Sequence, residues 1–328
     1  MKVAVLGAGA WGTALAKLLQ ESNGSAAVTL WAHEPQRLKE IERNGANERY
    51  LPGINLPKSL RLEPDAGRAI AGTECVVVAV PSKAFREVTA SLRDYHGLVV
   101  SVTKGIEFET GLTMCAVLRE TAPHARRVAL SGPTLALEVA KGVPTAIVAA
   151  SDDANAAQTV QQLFHRPRFR VYTSADPLGV ELGGALKNVV AIAAGVGDGL
   201  GFGDNSKAAL ITRGIVEIRR LGVARGAQPE TFSGLSGLGD LTVTCYSRLS
   251  RNRAFGERLG RGESVEKILA STVAIAEGYP TARSAYRLAQ QLNVSTPIID
   301  EVHAVLYEGK NVAQALLDLT TRESKPEQ

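Results

Sequence analysis

Lysines set into otherwise apolar sequence are the first residues here that could do chemistry. Lys187 lies in residues 179–194, GVELGGALKNVVAIAA, where Lys187 and Asn188 are the only strongly polar side chains after Glu181. An ammonium buried without a partner costs several kcal/mol or is driven neutral. Such a lysine therefore needs a carboxylate partner or a proton to move. A base working near neutral pH would need a pKa about three units below the ordinary ~10.4. Position alone leaves a structural ion pair and a catalytic base both open. Asp240, delivered by the glycine-rich stretch 234–242 (GLSGLGDLT), is the acid placed to pair with Lys187 or with a substrate hydroxyl. Lys104 follows the apolar run 98–102, LVVSV. In an open parallel sheet ligands bind beyond the C-terminal ends of the strands, so Lys104 stands where a substrate or nicotinamide would lie, a solvated strand-end lysine being the alternative.

Two further groups of residues suit anions. Gly7-Ala8-Gly9-Ala10-Trp11-Gly12 directly follows the apolar run 2–6 and precedes the helix formers 13–19. Strand, glycine turn and helix in immediate succession is the context a dinucleotide fingerprint requires. Gly7 would permit the tight turn, Gly9 the approach of a pyrophosphate, and Gly12 close packing of helix on strand. The helix start adds unpaired N–H groups and a positive dipole end. The second strand ends in Trp31-Ala32-His33-Glu34, with Arg37 one helical turn on. His33 could accept a 2′-phosphate, which favours NADP, while Glu34 keeps NAD open; His33 as a solvated loop residue is an equal alternative. Ser250-Arg251-Asn252, just before a helix expected at 254–259, reads as a phosphate cradle or as an ordinary N-cap.

The elements that position these residues change character along the chain. Strands are expected at 28–31, 75–80, 98–102, 127–130, 145–150 and 169–172, with helices at 35–43, 82–95, 112–120 and 154–164. Turns are expected at Asn23-Gly24-Ser25 and at Ser131-Gly132-Pro133-Thr134. From Pro177 onward helical periodicity takes over, with helices expected at 206–221, 282–292 and 296–307. Residues 201–205, 234–242 and 276–281 are expected as loops. The expected fold is α/β: an N-terminal Rossmann-type doubly wound sheet domain over 1–174 and a C-terminal all-helical, substrate-binding domain over 175–328.

The 328 residues carry a formal net charge of +4, too mild for a nucleic-acid partner and accountable by a pocket for an anionic substrate. Cys75, Cys115 and Cys245 are widely spaced, which suggests buried thiols in a reducing compartment. Neither clustered Cys/His nor H-E-x-x-H occurs, so no metal is expected. Core sequence begins at once after Met1, and no apolar run reaches the roughly 18 residues of a membrane span. A cytoplasmic protein is expected.

Taken together, the motifs resemble those of bacterial NAD(P)-dependent glycerol-3-phosphate dehydrogenase. They are GAGAWGTALA at 7–16, NERYLPG at 47–53, VPS at 80–82, TKGIE at 103–107, SGPTLALEVA at 131–140 and ELGGALKNVVAIAAG at 181–195. GLSGLGDLTVTC at 234–245, SRLSRNRAFG at 247–256 and AEGYPTA at 276–282 complete the series. The resemblance implies NAD(P)H-dependent reduction of dihydroxyacetone phosphate to sn-glycerol 3-phosphate for phospholipid synthesis. Lys187 would then be the proton acceptor and donor at the C2 oxygen, with Asp240 beside it and Lys104 stabilising charge on that oxygen or holding substrate. Lys104, Gly132, Thr134, Lys187, Asp240, Ser250, Arg251 and Asn252 would contact substrate. Gly7, Gly9, Ala10, Trp11, Gly12, His33, Tyr50, Lys104, Ala136, Arg251, Ile275 and Glu277 would contact the cofactor. Position 10 is Ala where many members have Ser, and position 134 is Thr rather than Ser. A homodimer through the helical domain follows by analogy. The rivals are a β-hydroxyacid or 6-phosphogluconate-type dehydrogenase and a non-catalytic nucleotide sensor.

Overall fold

The computed structural model describes residues 1–22, 27–272 and 276–323. The turn expected at Asn23-Gly24-Ser25 and the candidate contact Ile275 lie outside the described residues. The chain forms two compact units, residues 1–107 with 112–181 and residues 108–111 with 182–328.

The first unit alternates strands and helices. It begins β1 (Val3–Leu6), α1 (Ala10–Ser22), β2 (Val28–Trp31), α2 (Pro35–Asn44), β3 (Arg61–Glu63) and α3 (Ala66–Ile70). It continues β4 (Cys75–Val78), α4 (Ser82–Thr89), β5 (Leu98–Ser101), α5 (Met114–Thr121) and β6 (Arg126–Ser131). It ends α6 (Ala136–Ala140), β7 (Thr145–Ala150), α7 (Ala154–Phe164) and β8 (Phe169–Ser174). The strands form one sheet in the order β3-β2-β1-β4-β5-β6-β7-β8, the doubly wound order with its first crossover beside β1. All pairings are parallel except β6 with β7. The chain between those two holds only the five-residue α6 and returns antiparallel instead of completing a crossover.

Both faces of this sheet are covered, which is why its strands read as unbroken apolar runs. Val3 and Val5 share a core with Leu15 and Leu19 of α1 and Val160 of α7. Ala4 and Leu6 point the other way, into a core with Phe85 of α4 and Leu118 of α5. β3 and α3 escaped sequence expectation because β3 is three residues long and carries charge at both ends. α4 also ends earlier than expected, passing into a short turn of 3-10 helix at Ala90–Leu92.

The second unit is helical among its described residues. α8 (Pro177–Gly199) leads into it, its first residues counting with the sheet. There the Glu181 carboxylate accepts the Cys115 N–H at 2.8 Å. α9 (Asp204–Ala224), α10 (Asp240–Tyr246), α11 (Arg251–Gly260), α12 (Val265–Ser271), α13 (Gly278–Leu292), α14 (Pro297–Tyr307) and α15 (Val312–Thr320) follow. α8 and α11 cross at glycines: a Cβ on Gly195 would stand 1.9 Å from the Arg253 carbonyl, and one on Gly256 1.9 Å from that of Ile192. Contrary to expectation, α8 is also long and apolar enough to cross a membrane by length and composition. Yet 89% of its most apolar window is buried inside the protein, as in a core helix.

Glu217 of α9 is buried and receives the Ile298 and Ile299 N–H groups at the start of α14. Burial outweighs those bonds and raises its pKa from 4.5 to about 7. The folded protein therefore binds a proton that the unfolded chain releases above its lower pKa. The Glu217 contribution to stability is expected to fall as pH rises from about 4.5 to about 7, with a slope approaching 1.4 kcal/mol per pH unit, and to be flat on either side. In denaturant midpoints taken across that window, Glu217→Gln should lack this component; an identical pH profile in the variant would refute it.

Candidate active site

The glycine turn is built by packing. Gly7 has φ +123°, and a Cβ there would meet the Ala79 carbonyl oxygen at 2.6 Å. A Cβ on Gly12 would stand 1.9 Å from the Gly7 oxygen, so α1 lies against the end of β1. Around Gly9 nothing lies within 4 Å of that position. Two glycines are thus demanded by the protein itself, while the third keeps open space beside the start of α1. The N–H groups of Ala10, Trp11 and Gly12 occupy the first turn, where no intrahelical acceptor exists. The Trp11 indole N–H is likewise buried without a hydrogen-bond partner. Open space, unpaired donors and a helix dipole fit a pyrophosphate.

Asn47 holds this loop. Its amide donates to the Ala8 carbonyl at 2.9 Å and to the Thr13 hydroxyl at 2.8 Å. Within NERYLPG nothing marks Asn47 for this task, because no local spacing links it to a residue 39 positions away. His33 is exposed at the end of β2 and packs edge-on to Trp31. Tyr50 lies under the Arg37 guanidinium, 4.5 Å from ring centroid to Cζ. Lys104 Nζ donates to the Gly132 carbonyl at 2.8 Å and reaches the Thr134 hydroxyl at 3.2 Å, so three candidates from two strand ends meet. Ala136 begins α6 next to them.

In the helical unit Lys187 of α8 meets Asp240 and Thr244 of α10. Lys187 Nζ is 2.6 Å from Asp240 Oδ1 and 2.6 Å from Thr244 Oγ1. The Thr244 hydroxyl donates to the Asp240 carbonyl at 2.6 Å, leaving its lone pair to Lys187. Lys187 is 5% exposed and Asp240 1%. An adjacent carboxylate favours the ammonium over the neutral amine. The arrangement therefore fixes the direction of the Nζ donors.

The stretch expected as a glycine turn is a correction. Leu235–Gly239 is a turn of π-helix, with the Gly239 N–H reaching the Gly234 carbonyl at 3.1 Å, and Asp240 is the first residue of a helix. The glycines allow tight packing here: a Cβ on Gly237 would stand 2.2 Å from the Phe232 oxygen. Reading a turn hid Thr244, which sits one helical turn beyond Asp240 on the same face.

Ser250 is the N-cap of α11, its hydroxyl accepting the Arg253 N–H at 3.2 Å. Arg251 is exposed in the first turn. Asn252 is buried: its amide donates to Asn188 Oδ1 at 2.8 Å, and its oxygen accepts the Gly278 N–H at 2.8 Å. Helix α13 thus starts within the expected loop 276–281, and Glu277 immediately precedes it. All three cysteines are buried and unpaired; burial pushes the Cys75 and Cys245 thiols up to about 12, far from a nucleophile's range.

Comparison with known proteins decides the family. The family model described as NAD-dependent glycerol-3-phosphate dehydrogenase N-terminus matches residues 2–157, and the corresponding C-terminus model matches residues 176–317. A glycerol-3-phosphate dehydrogenase [NAD(P)+] of Chlorobium phaeobacteroides (strain BS1) is 48% identical, covering 100% of this chain and 99% of its own length. The chain belongs to the NAD-dependent glycerol-3-phosphate dehydrogenase family. It is therefore an oxidoreductase of the doubly wound class, and the 6-phosphogluconate-type grouping is set aside. The dehydrogenase [NAD(P)+] of Geobacter metallireducens is also 48% identical, over 99% of this chain and 98% of its own. The crystal structure of the Coxiella burnetii glycerol-3-phosphate dehydrogenase superposes with a TM-score of 0.94 at 37% identity, covering 98% and 99% of the two chains.

Proposed function

We propose that this protein reduces dihydroxyacetone phosphate reversibly to sn-glycerol 3-phosphate with NADH or NADPH, supplying glycerophospholipid synthesis in the cytoplasm. The observation that carries the proposal is the buried Lys187–Asp240–Thr244 cluster, a proton held in one direction inside an apolar helix pair. When bound, the nicotinamide would supply the hydride for C2 of the substrate. Reduction of the carbonyl also consumes one proton, and the Lys187 ammonium delivers it to the developing alkoxide oxygen. Asp240 and Thr244 keep Nζ in place while its charge changes. In the oxidising direction the neutral amine takes the hydroxyl proton back.

Gly9, the first N–H groups of α1 and Trp11 would hold the pyrophosphate, with His33, Tyr50, Ala136, Arg251, Ile275 and Glu277 as further cofactor contacts. Lys104, already fixed on Gly132 and Thr134, would balance charge on the reacting oxygen. Ser250 and Arg251, at the start of the ten-residue α11, would receive the substrate phosphate. Asn252 spends most of its amide on Asn188 and Gly278, so it serves that cradle mainly by fixing the starts of α11 and α13. Residues 1–174 would serve the dinucleotide and 175–328 the substrate, in a homodimer joined through the helical part.

Nicotinamide absorbance followed with dihydroxyacetone phosphate, using NADH and NADPH in parallel, tests the proposal. Oxidation of at least one cofactor is expected, with unphosphorylated dihydroxyacetone a far poorer substrate. Absence of oxidation with either cofactor would overturn the substrate assignment.

A further inference from the structure

The end of β2 carries a charge arrangement that hydride transfer leaves unassigned. The Gly7 N–H donates to the Trp31 carbonyl at 3.0 Å, so residues 32–37 emerge beside the glycine turn. In this fold that place receives the adenosine ribose, whose 2′ position carries a hydroxyl in NAD and a phosphate in NADP. Arg37 is only 7% exposed, and its Nη2 donates to Glu34 Oε2 at 2.6 Å. Its Nη1 is buried and has no hydrogen-bond partner. The Tyr50 ring below fixes the guanidinium plane. A planar fork held this way, with one arm unsatisfied, is preorganised for an anion with two oxygens to offer.

Glu34 differs in every respect. Its side chain is 60% exposed, and it occupies the N-cap position of α2 without making a side-chain cap. The carboxylate reaches to Arg37 instead. An ion pair with so exposed a member is held weakly.

We propose that Arg37 reads the 2′ position of the adenosine ribose and that Glu34 is a displaceable anion seated on it. The assignment rests on the dinucleotide-binding reading. With a 2′-hydroxyl, Glu34 remains on Arg37 and accepts the hydroxyl proton in a hydrogen bond. A 2′-phosphate repels the carboxylate, which swings into solvent, and takes Nη2 together with the unmatched Nη1, with exposed His33 alongside. One site thereby accommodates both cofactors, and the balance between them lies in Glu34.

Binding of 2′,5′-ADP and of 5′-AMP, measured by calorimetry, isolates this position because the two probes differ only at the 2′ oxygen. Glu34→Gln is expected to tighten 2′,5′-ADP by about tenfold while moving 5′-AMP by less than about threefold. Arg37→Gln should remove the difference between the probes, and its melting temperature reports whether the buried site still folds. Should that variant fail to fold, exposed Glu34→Gln decides alone. An unchanged ratio of the two affinities in Glu34→Gln overturns the assignment. If neither probe binds the unaltered protein, the dinucleotide reading itself fails and the assignment falls with it.

Discussion

Lys187→Ala should lower turnover by about a thousandfold while NAD(P)H still binds. The loss has two parts that must be separated. The buried Asp240 carboxylate would lose its ammonium partner, which costs about 3–5 kcal/mol of stability. Thr244 would lose the cation its lone pair faces. Lys187→Arg separates the two, since it keeps a cation against Asp240 but offers a guanidinium that does not release a proton near neutral pH. A melting temperature near that of the parent is expected for Lys187→Arg, with a turnover loss comparable to that of Lys187→Ala. Parent-like turnover in a folded Lys187→Arg would reduce the pair to a structural ion pair, the alternative that its position in the sequence leaves open.

The second large effect lies in the glycine turn, where two glycines should fail for different reasons. Gly12→Ala forces a methyl to within 1.9 Å of the Gly7 oxygen and 3.0 Å of the Ala79 Cβ, so the helix must move off the sheet. Stability and cofactor affinity should drop together, by about 3 kcal/mol for the former. Gly9→Ala puts its methyl into open space. Its melting temperature should stay near the parent's while affinity for both NADH and NADPH falls at least about tenfold, because the methyl takes the room of the pyrophosphate. Unchanged affinity in Gly9→Ala would mean that no phosphate approaches there. Fluorescence titration of each cofactor beside a thermal melt distinguishes these outcomes.

Much of this protein is legible in its order of residues. Strands buried on both faces cannot alternate polar with apolar, so β1, β4 and β5 announce themselves as runs such as CVVV and LVVS. The glycine turn is local, because its constraint acts between residues five apart and one neighbouring strand. Lys187 is marked by contrast with the apolar helix around it.

What the sequence could not disclose depended on which distant segments meet. Lys187 and Asp240 are 53 positions apart, and only the crossing of α8 with α10 makes them a pair. Asn47 reaches Ala8 across 39 positions through a loop with no regular period. The antiparallel β7 has the same composition as a parallel strand, and the chain's return was set by how little helix lies before it. At the 2′ end of the glycine site, His33, Glu34 and Arg37 are visible in the sequence as charges of opposite sign. Which arm of Arg37 is satisfied and which is buried without a partner was decided by Tyr50 and the packing of α2, since burial and hydrogen-bond geometry belong to the folded chain alone.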